Sequence, residues 1–192
     1  MFGGAEPARE RIGPGRLVLV VGPSGAGKDT LIRRAAELCC EDAGIVFARR
    51  GVTRPVSEHE DHFQLAADEF MRRKDGVDFA LWWQAHGLGY AIPASYDDDV
   101  RAGRTLVCNG SRSVIERARA RYRSACIVLV TAPPEQLMAR IADRGRDDAD
   151  ALRSRLARMS CDEDLRCDVR IDNIGTIDAA ARELVDAIRR GP

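Results

Sequence analysis

The residues of this chain best suited to chemistry run in one stretch: Gly22, Pro23, Ser24, Gly25, Ala26, Gly27, Lys28, Asp29 and Thr30. Gly22, Gly25 and Gly27 let the backbone turn tightly and aim N–H groups at an anion. Lys28 is long enough to reach the β- and γ-phosphates of a nucleotide, so the stretch reads as a phosphate-binding loop for ATP. The residue after the lysine of such a loop is usually Ser or Thr, whose hydroxyl meets Mg2+. Here it is Asp29, with Thr30 one position later. Either the Asp29 carboxylate holds the metal, through water, or Thr30 takes that contact. Lysine is otherwise scarce: of 30 Lys and Arg residues, only Lys28 and Lys74 are lysines. A compact ammonium is kept where a planar guanidinium fits less well.

A loop of this kind needs a strand before it and a helix after it. Arg16-Leu17-Val18-Leu19-Val20-Val21 is a short apolar run rich in β-branched residues, which predicts a buried strand. Leu31 to Leu38 carries apolar residues at helical spacing, so a helix is expected from Gly27 to Cys40. Four further runs read as strands: Ile45-Val46-Phe47-Ala48, Thr105-Leu106-Val107-Cys108, Cys126-Ile127-Val128-Leu129-Val130 and Asp168-Val169-Arg170-Ile171. Helical stretches alternate with them, ending in a helix from Ile177 to Ile188. That alternation predicts an α/β P-loop domain: five parallel strands, helices on both faces, and ligands at the carboxyl ends of the strands.

Two segments interrupt the alternation. Phe79 to Pro93 reads as a hairpin carrying Trp82 and Trp83, one expected in the core and one on a pocket wall. From Arg140 to about residue 160, Arg140, Arg144, Arg146, Arg153, Arg155 and Arg158 punctuate a helical pattern around Gly145-Arg146-Asp147-Asp148. Helical arms joined by a polar turn fit a lid over phosphates. The expected organisation is a flexible lead over 1–15 and a single domain over 16–192, with an acceptor-binding insert at about 53–93 and a lid at about 140–160. Arg49 to Pro55 reads as a basic turn. Ser57 to His62 reads as a solvated loop, with a metal site at His59 and His62 as the alternative.

Composition narrows the class. Charged residues are 31% of the 192 and sum to a formal net charge of zero, against a general nucleic-acid binder. No apolar run is long enough to span a membrane, and the first 15 residues lack a signal-peptide core. None of the six cysteines forms a C-x-x-C pair. Cys108 and Cys126 read as small core residues, and a reducing cytoplasm is the expected compartment.

The phosphate loop, the Thr53-Arg54-Pro55 turn, the hairpin and the arginine-rich segment follow the order seen in guanylate kinase-like proteins. By that resemblance Arg54 holds the acceptor phosphate and Tyr90 hydrogen-bonds it. The acids that read guanine in that family are replaced by Gln84 and Asn109, Ile92-Pro93 stands where a hydroxyl pair is expected, and no second arginine follows Arg54 closely. A site built around guanine's donors loses heavily when those acceptors go. The motifs GPSGAGKDT, VTRP, FALWWQAHGLGYAIP, NGSR and RGR instead resemble the ribose 1,5-bisphosphokinase family of phosphonate metabolism, in which Asp29 is itself a mark. The resemblance implies transfer of the ATP γ-phosphoryl, with Mg2+, to the 1-phosphate of ribose 1,5-bisphosphate, a small sugar phosphate. For that reaction we assign Lys28 and the loop to the donor phosphates, and Arg144 and Arg155, then Arg140, to the transferring group. Arg54 and Arg112 go to the sugar phosphates, Ser111 to substrate binding, Gln84, His86 and Asn109 to ribose hydroxyls, and Asn173 to the adenine side. The alternatives are guanylate kinase or another small-molecule kinase on this fold, and a non-catalytic interaction module, against which the intact loop argues. Oligomeric state is not legible.

Overall fold

The computed structural model describes residues 10–56, 61–142 and 166–190. Arg144, Arg146, Arg153, Arg155, Arg158, His59 and Cys161 lie outside the described residues, as does most of the expected lid.

Strand β1 (Arg16–Val21) is buried along its whole length. Successive strand side chains point to opposite faces. Val18 and Val20 accordingly pack with Leu31 and Ala35 of α1 (Lys28–Leu38) and with Leu184 and Ile188 of α6 (Ile177–Arg189). Leu17, Leu19 and Val21 pack on the other side with Val100 of α3 (Asp97–Arg101) and with Ile115 and Ala118 of α4 (Ile115–Arg121). A strand with nothing polar after Arg16 is therefore one covered on both faces.

Its neighbours are β7 (Thr105–Asn109) and β8 (Ala125–Thr131), and β2 (Ile45–Phe47) and β9 (Val169–Asp172) close the order β2-β7-β1-β8-β9. All four pairings are parallel. The five strands are the five read from the sequence. The chain moves outward from β1 in both directions, which makes the carboxyl end of β1 the natural ligand crevice. Helix α5 (Pro134–Ala142) follows β8.

A second, four-stranded sheet has the order β4-β3-β6-β5. It is formed by β3 (Arg50–Val52), β4 (His62–Gln64), β5 (Phe79–Ala85) and β6 (Leu88–Pro93), with α2 (Ala67–Arg73) beside it. β5 and β6 are the expected hairpin. Its register puts Ala85 opposite Leu88, leaving His86 (φ 53) and Gly87 (φ 72) as a two-residue turn. Two consecutive positive φ values are what such a tight turn demands.

β3 and β4 correct the sequence reading. The first lies in the stretch read as a basic turn, and the second begins at the end of the stretch read as a solvated loop. His62 is buried, with Nε2 3.2 Å from the Pro55 carbonyl oxygen. The amino-terminal reading is corrected too: Glu10 to Gly15 is docked rather than a loose lead. Ile12 N–H donates to Arg121 O, Arg123 N–H to Ile12 O, and Gly15 N–H to Val100 O, at 2.8–2.9 Å.

Of the two tryptophans, Trp83 is the core residue. Trp83 is buried and stacked on Tyr90 at 5.3 Å. Trp82 is half-buried, with Lys74 Nζ 5.0 Å and the Arg117 guanidinium 4.7 Å from its ring. Cys108 is fully buried, and burial pushes its thiol pKa up. Cys39, Cys40, Cys108, Cys126 and Cys167 form no disulfide.

Candidate active site

β1 ends at Val21 and hands the chain to Gly22, Gly25 and Gly27, with φ of 146°, 84° and 87°. Two of these glycines are also required by space. A Cβ on Gly22 would collide with the Val130 carbonyl oxygen of β8. A Cβ on Gly27 would stand 2.5 Å from Asn173 Nδ2. Gly27 is the N-cap of α1 and no side chain caps that end, so the first N–H groups of the helix keep their capacity for an anion. Ala26 is buried beneath the loop and Ser24 exposed above it. Lys28 Nζ donates to the carbonyl oxygens of Gly22 (2.8 Å) and Pro23 (2.9 Å). These features fit a nucleotide's phosphates. For Mg2+, a hard cation that takes oxygen ligands, the first turn of α1 offers the Asp29 carboxylate and the Thr30 hydroxyl, both on half-buried residues.

Two side chains fix the loop from below. Asn173, 5% exposed, donates from Nδ2 to Ala26 O at 2.8 Å, and its N–H bonds Thr131 O at 2.7 Å. Its amide nitrogen is thus committed to the loop. Arg140 donates from Nη2 to Asn173 O (3.1 Å) and Gln136 Oε1 (3.3 Å). Its Nη1 is buried without a partner among the described residues, 4.0 Å from where a Cβ on Gly27 would sit. A cation with a donor left over at the phosphate loop suits an anionic ligand.

The acceptor side follows from strand register. β1 and β7 pair Val20 with Asn109, so Asn109 reaches the carboxyl end of the sheet beside the loop. β2 pairs Phe47 with Val107, and Ala48 N–H bonds Val107 O at 2.9 Å. The chain therefore leaves β2 next to Asn109 and delivers Arg50 there three residues later. Asp29 Oδ1 accepts from Asn109 Nδ2 at 2.7 Å and from Arg50 Nη2 at 3.2 Å. The Arg50 guanidinium also lies 5.6 Å from the centre of the Tyr90 ring. Arg50 was not singled out in the sequence. The signal was there, in the two-residue spacing of Arg50, Val52 and Arg54, but a three-residue strand containing a glycine hides it.

The other candidates divide. Thr53 is anchored on β6: its Oγ1 accepts from Gly89 N–H at 2.8 Å and its N–H bonds Gly89 O at 3.0 Å, which fixes the backbone next to half-buried Arg54. Ser111 caps a short 3-10 turn, its Oγ accepting from Ser113 N–H at 3.3 Å, and half-buried Arg112 opens that turn. Gln84 pairs with Gly89 one position beyond the Trp83–Tyr90 pair, so it projects from the face of the hairpin opposite Tyr90. It is exposed and stands apart from the group formed by Asp29, Asn109 and Arg50, while His86 occupies the turn.

A parallel sheet whose central strand feeds a glycine loop and an uncapped helix, with an arginine-bearing second sheet across the crevice, defines a P-loop phosphotransferase. A family model described as an AAA domain matches residues 18–160. The solved structure of guanylate kinase from Anaplasma phagocytophilum shares the fold, with a TM-score of 0.67 at 17% identity over 93% of this chain and 86% of that one. Among relatives, the ribose 1,5-bisphosphate phosphokinase PhnN of Rhodopseudomonas palustris is 52% identical over 97% of this chain and 95% of its own length. That of Bradyrhizobium diazoefficiens is 49% identical over 93% and 90%. The chain belongs to the ribose 1,5-bisphosphate phosphokinase family. No helix among the described residues is long and apolar enough to cross a membrane.

Proposed function

We propose that this protein transfers the γ-phosphoryl group of ATP to the 1-phosphate of ribose 1,5-bisphosphate, giving 5-phospho-α-D-ribose 1-diphosphate and ADP. The observation that carries this reading is the 2.7 Å hydrogen bond from Asn109 to Asp29, which brings a neutral amide of the acceptor side against the donor loop. Where the guanylate kinase resemblance expects an acid to read a base, this chain presents an amide suited to a hydroxyl.

ATP supplies the phosphoryl group, and Mg2+ screens its oxygens when bound. The bond between the γ-phosphorus and the β–γ bridging oxygen breaks as one forms from an oxygen of the acceptor phosphate. That oxygen is already anionic near neutral pH, so no side chain has to remove a proton. The protein's task is to hold two polyanions in line and offset their repulsion. Lys28 and the N–H groups at the start of α1 neutralise the donor phosphates. Arg140 takes the nucleotide side, with Arg144 and Arg155 as the lid arginines. Arg54 and Arg112 hold the sugar phosphates, with Ser111 shaping the turn that presents Arg112. Tyr90 and Asn109 line the acceptor position.

The test is ADP release across a substrate panel. The expected result is turnover with ribose 1,5-bisphosphate and formation of the diphosphate. Strong turnover of GMP with none of the sugar bisphosphate would overturn the reading.

A further inference from the structure

We infer that Asp29 is a positioning residue of the acceptor site and not the metal ligand: its carboxylate fixes which end of the Asn109 amide, and which side of the Arg50 guanidinium, faces the acceptor. Asn109 Oδ1 then selects the acceptor by taking a hydrogen bond from a sugar hydroxyl. This rests on the sugar phosphate acceptor proposed above.

The polarity follows from proton count. A carboxylate has no hydrogen to donate, so the amide end against Asp29 Oδ1 must be the NH2 group of Asn109. The 2.7 Å contact therefore turns Oδ1 of the same amide away from Asp29. That oxygen is buried, on a residue only 7% exposed, and has no partner among the described residues. Buried acceptors are rarely left unmatched, and a ligand hydroxyl supplies the missing donor. A phosphate oxygen offers no proton there and would meet the amide oxygen lone pair to lone pair.

Arg50 completes the pair of contacts. Its side chain is 11% exposed, set between the Asp29 carboxylate at 3.2 Å and the Tyr90 ring at 5.6 Å. Tyr90 is in turn stacked on buried Trp83 with an interplanar angle of 1°. A guanidinium held from two sides by a rigid stack loses little freedom on meeting a phosphate. One carboxylate thus places a cation and a hydroxyl acceptor side by side, the combination that reads a phosphorylated sugar. The same pairing argues against metal ligation. A divalent ion on Asp29 would sit beside the Arg50 cation, whereas the Thr30 hydroxyl carries no such neighbour among the described hydrogen bonds.

The experiment compares wild type, Asp29→Asn and the exchanged pair Asp29→Asn with Asn109→Asp. Calorimetry measures binding of ribose 1,5-bisphosphate and of Mg2+–ADP, and initial rates give KM and the Mg2+ concentration for half-maximal rate. Asp29→Asn is expected to weaken sugar bisphosphate binding about 10- to 100-fold, the size of a lost charged hydrogen-bond pair. Mg2+–ADP affinity and the Mg2+ requirement should stay within about twofold of wild type. The exchanged pair should recover most of the sugar affinity, since the amide now at position 29 can donate to one oxygen of the carboxylate now at position 109 and leave the other as the acceptor. A raised Mg2+ requirement or weakened Mg2+–ADP binding in Asp29→Asn, with sugar affinity unchanged, overturns the inference and makes Asp29 a metal ligand. Loss of sugar affinity with no recovery in the exchanged pair overturns the amide polarity. If wild type binds Mg2+–ADP but not the sugar bisphosphate, the functional reading fails first and takes this inference with it.

Discussion

Gly27 and Asn173 form one mechanical unit, and a double-mutant cycle tests it. Gly27 has φ of 87°, and a Cβ added there would stand 2.5 Å from Asn173 Nδ2. That nitrogen holds the carbonyl oxygen of fully buried Ala26 at 2.8 Å. Gly27→Ala therefore does two things. It places an alanine in the left-handed region, at a cost of about 1–2 kcal/mol. It also displaces the Asn173 amide, leaving a buried carbonyl unpaired at a cost of about 1–3 kcal/mol. The expected loss is about 2–5 kcal/mol in urea unfolding monitored by circular dichroism. Asn173→Ala loses the same hydrogen bond without the backbone strain, so about 1–3 kcal/mol. The bond can be lost only once. The double variant should therefore cost about as much as Gly27→Ala alone, so the coupling approaches the whole of the about 1–3 kcal/mol lost in Asn173→Ala, outside the ~0.5 kcal/mol of independent sites. ADP should stabilise wild type strongly and both variants weakly. If the two losses simply add, Asn173 does not hold the loop through Ala26 and the reasoning fails.

Two further outcomes follow from burial and from strand faces. Burial raises the Cys108 thiol above its usual 9.0, so above that pH the unfolded chain gives up a proton that the folded chain keeps, and stability falls as pH rises. Urea melts between about pH 8 and 10.5 should show a shallower decline for Cys108→Ala than for wild type, by up to about 1.4 kcal/mol per pH unit; equal slopes would show that this thiol does not contribute. Gln84→Ala, on the hairpin face opposite Tyr90, should change KM for ribose 1,5-bisphosphate by less than about twofold; a tenfold rise would return Gln84 to the acceptor site.

What the sequence disclosed depended on how local each determinant is. The phosphate loop was legible because its glycines, its lysine and the strand before it lie close together along the chain. β1 announced itself by an unbroken apolar run, and the other four core strands by similar runs. β3 and β4 did not, because each has three residues and exists through ladders with distant partners. His62 looked solvent-bound among acids, yet it is buried and bonded near Pro55. Gln84 was matched to a family position by order along the chain, and the pleat then put it on the far face. Asn173 was placed on the nucleotide side by its position after the last strand, and the bond of its amide nitrogen to the loop, across 147 positions, could not be read from that order.

The amide at position 109 and the presence of Asp29 are two parts of one electrostatic arrangement. A sugar bisphosphate brings more negative charge to the crevice than a nucleoside monophosphate does. A carboxylate at position 109 in addition to Asp29 would add to that repulsion: two unit charges about 4 Å apart at an effective dielectric of about 20 cost about 4 kcal/mol. The amide at position 109 leaves Asp29 as the acid at the junction of donor and acceptor sides. Its charge is tolerable because Arg50 lies 3.2 Å away and Asn109 donates to the same oxygen. Each of the three residues then depends on the others. Without Asp29 the amide has no fixed polarity, and without Arg50 the carboxylate repels both substrates. With alanine in place of Asn109, Asp29 would keep its cation but the acceptor would lose its hydroxyl contact. A substitution that looks like damage to a metal site in the loop alone becomes intelligible only with β3 and β7 in place, since those strands bring its two partners within reach.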